Sequence, residues 1–182
     1  MAVYGNYMTD GDGDVLDITK GKLPIVEGRI YELINGNHYF YSQPISLGTD
    51  AVANYVIETG AKANRIEFSL DSTVSGYSFA TYEDIIADDD GTLITAINAN
   101  RVSTNTPVST LRYNPSNVSI VGATNLRTAT VGADGNAQAR LSGTITEAFG
   151  MILKPNSKYL LRITNMATAN IVNVKINWNE EQ

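Results

Sequence analysis

The sequence predicts an all-β protein: an antiparallel, jelly-roll-like β-sandwich that follows an extended N-terminal arm. Three observations lead there. Apolar and polar residues alternate with a period of two in several short runs, the pattern of a strand with one buried face. Turn-forming Gly, Asn, Asp and Pro residues break these runs about every ten residues, the spacing of small sandwiches. No stretch holds a 3.6-residue period long enough for a stable helix. Asn and Thr, with 18 of each in 182 residues, suit strand edges and turns. No repeat of fixed period is present, which argues against a propeller or solenoid.

Residues 1–27 read as the arm and residues 28–182 as the sandwich domain. The arm carries the acidic run Asp10-Gly11-Asp12-Gly13-Asp14 and then Lys20-Gly21-Lys22-Leu23-Pro24. Neither run offers a face to bury, so the arm is expected to order when something binds it. Residues 29–34, the pair Asn35-Gly36 and residues 37–47 read as a hairpin. Asn-Gly accepts positive φ at both central positions of a type I′ turn. Residues 51–58 and 83–87 admit a helical turn at most. In Arg65-Ile66-Glu67-Phe68-Ser69-Leu70 the alternation is unbroken, with Ile66, Phe68 and Leu70 on one face. Residues 76–82 form an aromatic, β-prone run. Asp90-Gly91 then turns the chain into a strand over 92–99. Residues 128–131 and 137–141 flank Asp134-Gly135 as a second hairpin. Pro155-Asn156 precedes a strand over 158–164. The last strand, over 171–178, puts Val172, Val174, Ile176 and Trp178 on one face and Asn173, Lys175 and Asn177 on the other.

Composition narrows the function. Hydrophobic residues make up 43% and charged residues 18%, a globular balance. A fold of this size buries about 70% of the surface its unfolded chain exposes, enough for one sizeable core. The absence of cysteine excludes a disulfide scaffold, a thiolate metal site and a Cys nucleophile. A single histidine cannot build a multi-His zinc centre within one chain. Thirteen Lys+Arg against 19 Asp+Glu, a net charge of -6, argue against nucleic acid as a partner. No apolar run is long enough to span a membrane. Residues 1–14 lack the pattern of a secretory signal, so the chain is expected to be made in a cytoplasm and to stay there or leave by another route.

Candidate chemistry is sparse. Asp10-x-Asp12-x-Asp14 opens like a calcium loop, but Val15 and Gly21 stand where that loop needs Gly and Glu. Asp88-Asp89-Asp90-Gly91 reads as a charged turn that ends a strand and blunts an edge. His38, the one imidazole, reads as a strand-start residue, since no Gly-x-Ser-x-Gly elbow accompanies it. Glu32, Glu58, Glu67, Glu83 and Glu147 are scattered across the β region. A glycosidase needs two carboxylates in one cleft, and the default for each of these is a polar strand face. Asn117-Val118-Ser119 fits a glycosylation acceptor but has no secretory route to use it. The expectation is therefore no catalytic residue, no metal and no cofactor. The ten tyrosines, against one Trp and four Phe, leave two uses open. Tyr39 with Tyr41, and Tyr77 with Phe79, either pack a core or build a subunit or partner interface.

The C-terminal half resembles a family. Asp90-Gly91-Thr92-Leu93-Ile94-Thr95-Ala96-Ile97-Asn98-Ala99-Asn100-Arg101 is similar to a segment of virion structural proteins of tailed bacteriophages. Arg112-Tyr113-Asn114-Pro115-Ser116 fits the strand end that follows there. Ile152-Leu153-Lys154-Pro155-Asn156-Ser157-Lys158-Tyr159-Leu160-Leu161-Arg162-Ile163-Thr164-Asn165 and Ile176-Asn177-Trp178-Asn179-Glu180 resemble its later segments. The match spans roughly residues 76–182. It implies a non-enzymatic capsid decoration, or cement, protein with a jelly-roll-like sandwich. Such a protein is a homotrimer that binds the major capsid protein on the outer capsid surface and stabilises the head. It is a virion component assembled in the bacterial host cytoplasm. The resemblance carries over no functional residues, because the shared motifs read as folding signals. The alternative is a glycan- or host-surface-binding module of a tail fibre or baseplate.

Overall fold

A computed structural model describes residues 8–9, 15–16, 33–72, 76–131, 144–146 and 150–180. Within residues 1–27, β1 (Met8–Thr9) pairs antiparallel with β2 (Val15–Leu16), Met8 opposite Leu16. The acidic run between them lies outside the described residues.

Twelve further strands follow: β3 (His38–Gly48), β4 (Val52–Glu58), β5 (Asn64–Ser72), β6 (Tyr77–Glu83), β7 (Thr92–Leu93), β8 (Ile97–Asn98), β9 (Thr110–Tyr113), β10 (Thr124–Val131), β11 (Thr144–Thr146), β12 (Met151–Leu153), β13 (Lys158–Asn165) and β14 (Ala169–Glu180). One six-stranded sheet runs β11-β5-β14-β3-β8, with β12 also on β5, and the other runs β10-β6-β13-β4-β9-β7. All pairings are antiparallel. The long strands place β3, β14, β5 and β11 over β4, β13, β6 and β10. The chain crosses between sheets at nearly every step. That connectivity is a jelly roll, as the sequence predicts.

Alternation decides which residues enter the core. Along β5 every second residue, Ile66, Phe68 and Leu70, is buried. Val172, Val174, Ile176 and Trp178 of β14 join them from the neighbouring strand. The opposing sheet contributes Ala53, Tyr55, Phe79, Leu161 and Ile163. The two layers meet in aromatic contacts: Phe68 and Phe79 sit edge to face with ring centroids 5.5 Å apart, and Tyr41 meets Tyr55 at 5.9 Å. Such pairs add about 0.5–1.5 kcal/mol beyond the area they bury.

The long excursion between β6 and β10 extends both layers on one side. Its β9 pairs β4, with β7 beyond, while its β8 pairs β3. Other parts of the excursion cover the outer face of the second sheet. Ile85 and Ala87 are buried there against Val56 and Leu160, with Val118 and Ile120 packed alongside. Beyond Phe40, the outer edge of β3 has no paired strand among the described residues, and Pro44 on that edge weakens it as a docking template.

Some expectations need correction. Residues 33–35 form a helical turn and not the first strand of a hairpin. Gly36 takes φ 75° but Asn35 is not among the positive-φ residues, so the pair closes that helical turn as a C-cap. Val52–Glu58 is strand β4 and no helix, because Ala53, Tyr55 and Ile57 alternate into the core. Residues 83–87 form no helical turn: Glu83 ends β6, Asp84 bends the chain at φ 59°, and Ile86 bridges Ser119. The strand expected over 92–99 is two short strands that join different sheets. Of the second hairpin, residues 128–131 belong to β10, and its partner segment lies outside the described residues.

Candidate functional site

The most built feature lies where the helical turn enters β3. A helix end leaves carbonyls without partners. Here each of three receives an asparagine amide. Asn100 Nδ2 donates to Ile34 O (2.9 Å), Asn105 Nδ2 to Asn35 O (3.1 Å) and Asn98 Nδ2 to Gly36 O (2.8 Å). Asn105 Nδ2 also reaches Asn37 Oδ1 at 3.2 Å. The Asn98-Ala99-Asn100 motif thus clasps the turn. The approach is close enough that a Cβ on Gly36 would lie 2.1 Å from Ser103 Oγ.

This clasp holds one end of a strap, residues 98–109, across the end of the sandwich. Glu180 holds the other end. Its carboxylate, largely buried near the end of β14, accepts from Val108 N (2.9 Å) and Ser109 N (2.8 Å), and the Trp178 indole donates to it at 3.3 Å. Asn64 Nδ2 donates to Ser109 Oγ at 2.5 Å. Beneath the strap, Tyr39 and Trp178 pack with ring centroids 5.8 Å apart. Burial, and then the Glu180 charge, hold the Tyr39 phenol above its ordinary pKa.

Two clefts flank the strap. The larger, about 540 Å³, lies between the strap and residues 60–62 and has Asn37, Asn64 and Glu180 among its lining. The smaller, about 290 Å³, opens towards Leu93, Ile94 and Pro107. Tyr39, Asn105, Thr106 and Ser109 line both. Among the described residues, Glu180 is the single carboxylate lining either cleft. Both its oxygens already hold the strap. A third, apolar void of about 20 Å³ is lined by core side chains such as Ile57, Phe68 and Ile176.

The residues singled out in the sequence separate into structural roles. His38 opens β3 and is buried, with Nδ1 hydrogen-bonded to Asn179 Oδ1. Glu67 pairs with Arg65 at 3.3 Å. Glu83 pairs with Lys154 and accepts from Tyr159 Oη at 3.2 Å. Glu58 lies 3.9 Å from Lys158. Asp88, Asp89 and Asp90 each accept hydrogen bonds from side chains or backbone. Asp88 accepts from Asn117 Nδ2 and from Ser116 Oγ (3.3 Å), Asp89 from Lys158 Nζ (2.7 Å) and Asp90 from Ser116 N (2.9 Å). Lys158 holds the Asp89 carboxyl, and Ser116 the Asp90 carboxyl, below the usual range. Among the described residues no three metal-ligating side chains converge. Glu32, Glu147 and Asp10 to Asp14 lie outside those residues. Tyr39, Tyr77 and Phe79 face the core, and Tyr41 packs against it.

The segments that carry the family resemblance are also folding devices. In Lys154-Pro155-Asn156, Asn156 takes φ 52° and its N–H donates to Gly60 O (2.8 Å). Thr59 Oγ1 donates to Lys154 O at 2.7 Å. Arg162 points away from the core and donates from Nε to Asn54 Oδ1 at 3.0 Å. The strap was missed in sequence because its asparagines are far from the carbonyls they satisfy. The one signal was an Asn-rich loop with nothing else to bind.

The fold defines an all-β jelly-roll sandwich with a strapped end and a polar cleft. Compared with protein-family models and with curated proteins, the sequence matches none.

Proposed function

We propose that the chain is a non-enzymatic virion structural protein of a tailed bacteriophage, a decoration protein that binds the outer surface of the major capsid protein lattice and reinforces the head. The observation that carries this reading is the use made of the resembling segments. Asn98, Asn100, Lys154, Asn156 and Glu180 are spent on turns, straps and ion pairs that stiffen a sandwich. A rigid brick with engaged carboxylates suits adhesion. A capsid repeats one docking surface many times, and a homotrimer that meets several copies gains avidity from weak contacts. Residues 1–27 would add a contact of their own. No membrane or nucleic-acid role is needed: no helix among the described residues is long and apolar enough to cross a membrane, and the net charge of -6 disfavours phosphates.

Co-sedimentation with undecorated capsids tests the reading. The full chain is expected to bind at a fixed ratio to capsid protein. A chain lacking residues 1–27 keeps every described strand of the jelly roll, so it is expected to fold and bind more weakly. Full retention by the shortened chain would count against the arm, and no binding by either would count against the decoration role. The second reading, a glycan- or host-surface-binding module of a tail fibre or baseplate, draws on the polar cleft. It predicts binding to host cells and none to capsids.

A further inference from the structure

We propose that the 540 Å³ cleft between residues 60–62 and the strap is a binding site for a saccharide of one or two units. The inference stands on the geometry of the cleft and holds wherever on a particle the protein sits. Its volume falls in the range of small-ligand sites, roughly 300–1,000 Å³. Its walls carry unused polar groups. Lys62 on one side and Thr104 and Thr106 on the other line the cleft, are exposed, and have no hydrogen-bond or ion-pair partner among the described residues. Each threonine hydroxyl both donates and accepts, as a sugar hydroxyl does, so the match is of like with like. Val108, 71% exposed, gives an apolar surface for the C–H face of a sugar ring.

The charge balance selects among ligands. A phosphate or nucleotide site converges several cations or a row of backbone N–H groups. Among the described residues this cleft has one lysine, and its carboxylate is occupied. Neutral and weakly acidic sugars remain. The walls are also held in place. Asn98 and Asn105 pin one end of the strap and Glu180 pins the other, so little ordering opposes binding.

The test is an NMR titration of the full, ¹⁵N-labelled chain with glucose, galactose, rhamnose, N-acetylglucosamine and glucuronate. At least one sugar is expected to shift the amides of residues 60–62, 104–106 and 108–109 saturably in the millimolar range. The double variant Thr104→Val, Thr106→Val is expected to weaken that sugar about tenfold while keeping the parent's melting temperature. Failure of every sugar to shift these amides, shifts confined to another surface, or undiminished binding by the folded double variant would each overturn the proposal. Capsid co-sedimentation is a separate readout, so loss of the saccharide site leaves the decoration reading to its own test.

Discussion

Gly36 shows how much of the site depends on single residues. Its φ of 75° is costly for any side chain, and an added Cβ would overlap Ser103 at 2.1 Å. Gly36→Ala is expected to destabilise the chain by at least about 1–3 kcal/mol in urea unfolding. Adding Ser103→Gly should recover part of that loss, because it removes the overlap and leaves only the backbone strain. Glu180→Ala strands the buried Ser109 N–H and the part-buried Val108 N–H, at a cost of about 2–3 kcal/mol, whereas Glu180→Gln keeps one acceptor and should cost less. Asp89 and Asp90 have folded pKa values below their ordinary 3.8. A depressed carboxyl stabilises above its unfolded pKa and loses that contribution as pH falls through the lower folded value. Both carboxyl resonances should therefore titrate below 3.8 by NMR, and Lys158→Met should return Asp89 towards it. These residues were only half visible in the sequence. The aspartates read correctly as a charged turn, while nothing near Glu180 announced that it would hold a loop 71 residues away.

Among the strands, those with an unbroken two-residue alternation were legible. Ile66, Phe68 and Leu70 declared β5, and Val172 to Trp178 declared β14, because both lie inside a sheet with one face on the core. The strand β4 was hidden. Its Val56 is buried on the outer face under the β6–β10 excursion, which breaks the apolar–polar alternation. The sequence places one strand over 92–99 where β7 and β8 stand, because local pattern cannot show that the two pair with edges of different sheets. The strap belongs to the same class. Asn105→Ala removes two donors and is expected to cost about 1–2 kcal/mol. Trp178, the one tryptophan, lies beneath that strap at 6% exposure. The Asn105→Ala chain should therefore show faster acrylamide quenching of its fluorescence. Unchanged quenching would mean that Glu180 alone keeps the strap closed.

At the scale of the molecule, the class of fold followed from alternation and turn spacing, but the jelly-roll strand order required the long-range pairs. The same interior makes an alkaline prediction. Burial, followed by the Asp71 charge, pushes the Tyr77 phenol up to about 12. Burial likewise raises Tyr39, Tyr55 and Tyr159. A raised phenol pKa stabilises the fold fully below the unfolded value near 10 and is lost as pH climbs through the folded one. Absorbance of the tyrosinates of this buried set should therefore rise together with loss of the β circular-dichroism signal. The claim on which the functional account rests is that this sandwich is displayed on a phage head. A density map of the complete particle tests it most directly. The account predicts a jelly roll of this topology repeated at lattice positions on the outer face of the shell. Density for the chain only in the tail, or none in the particle, would contradict it.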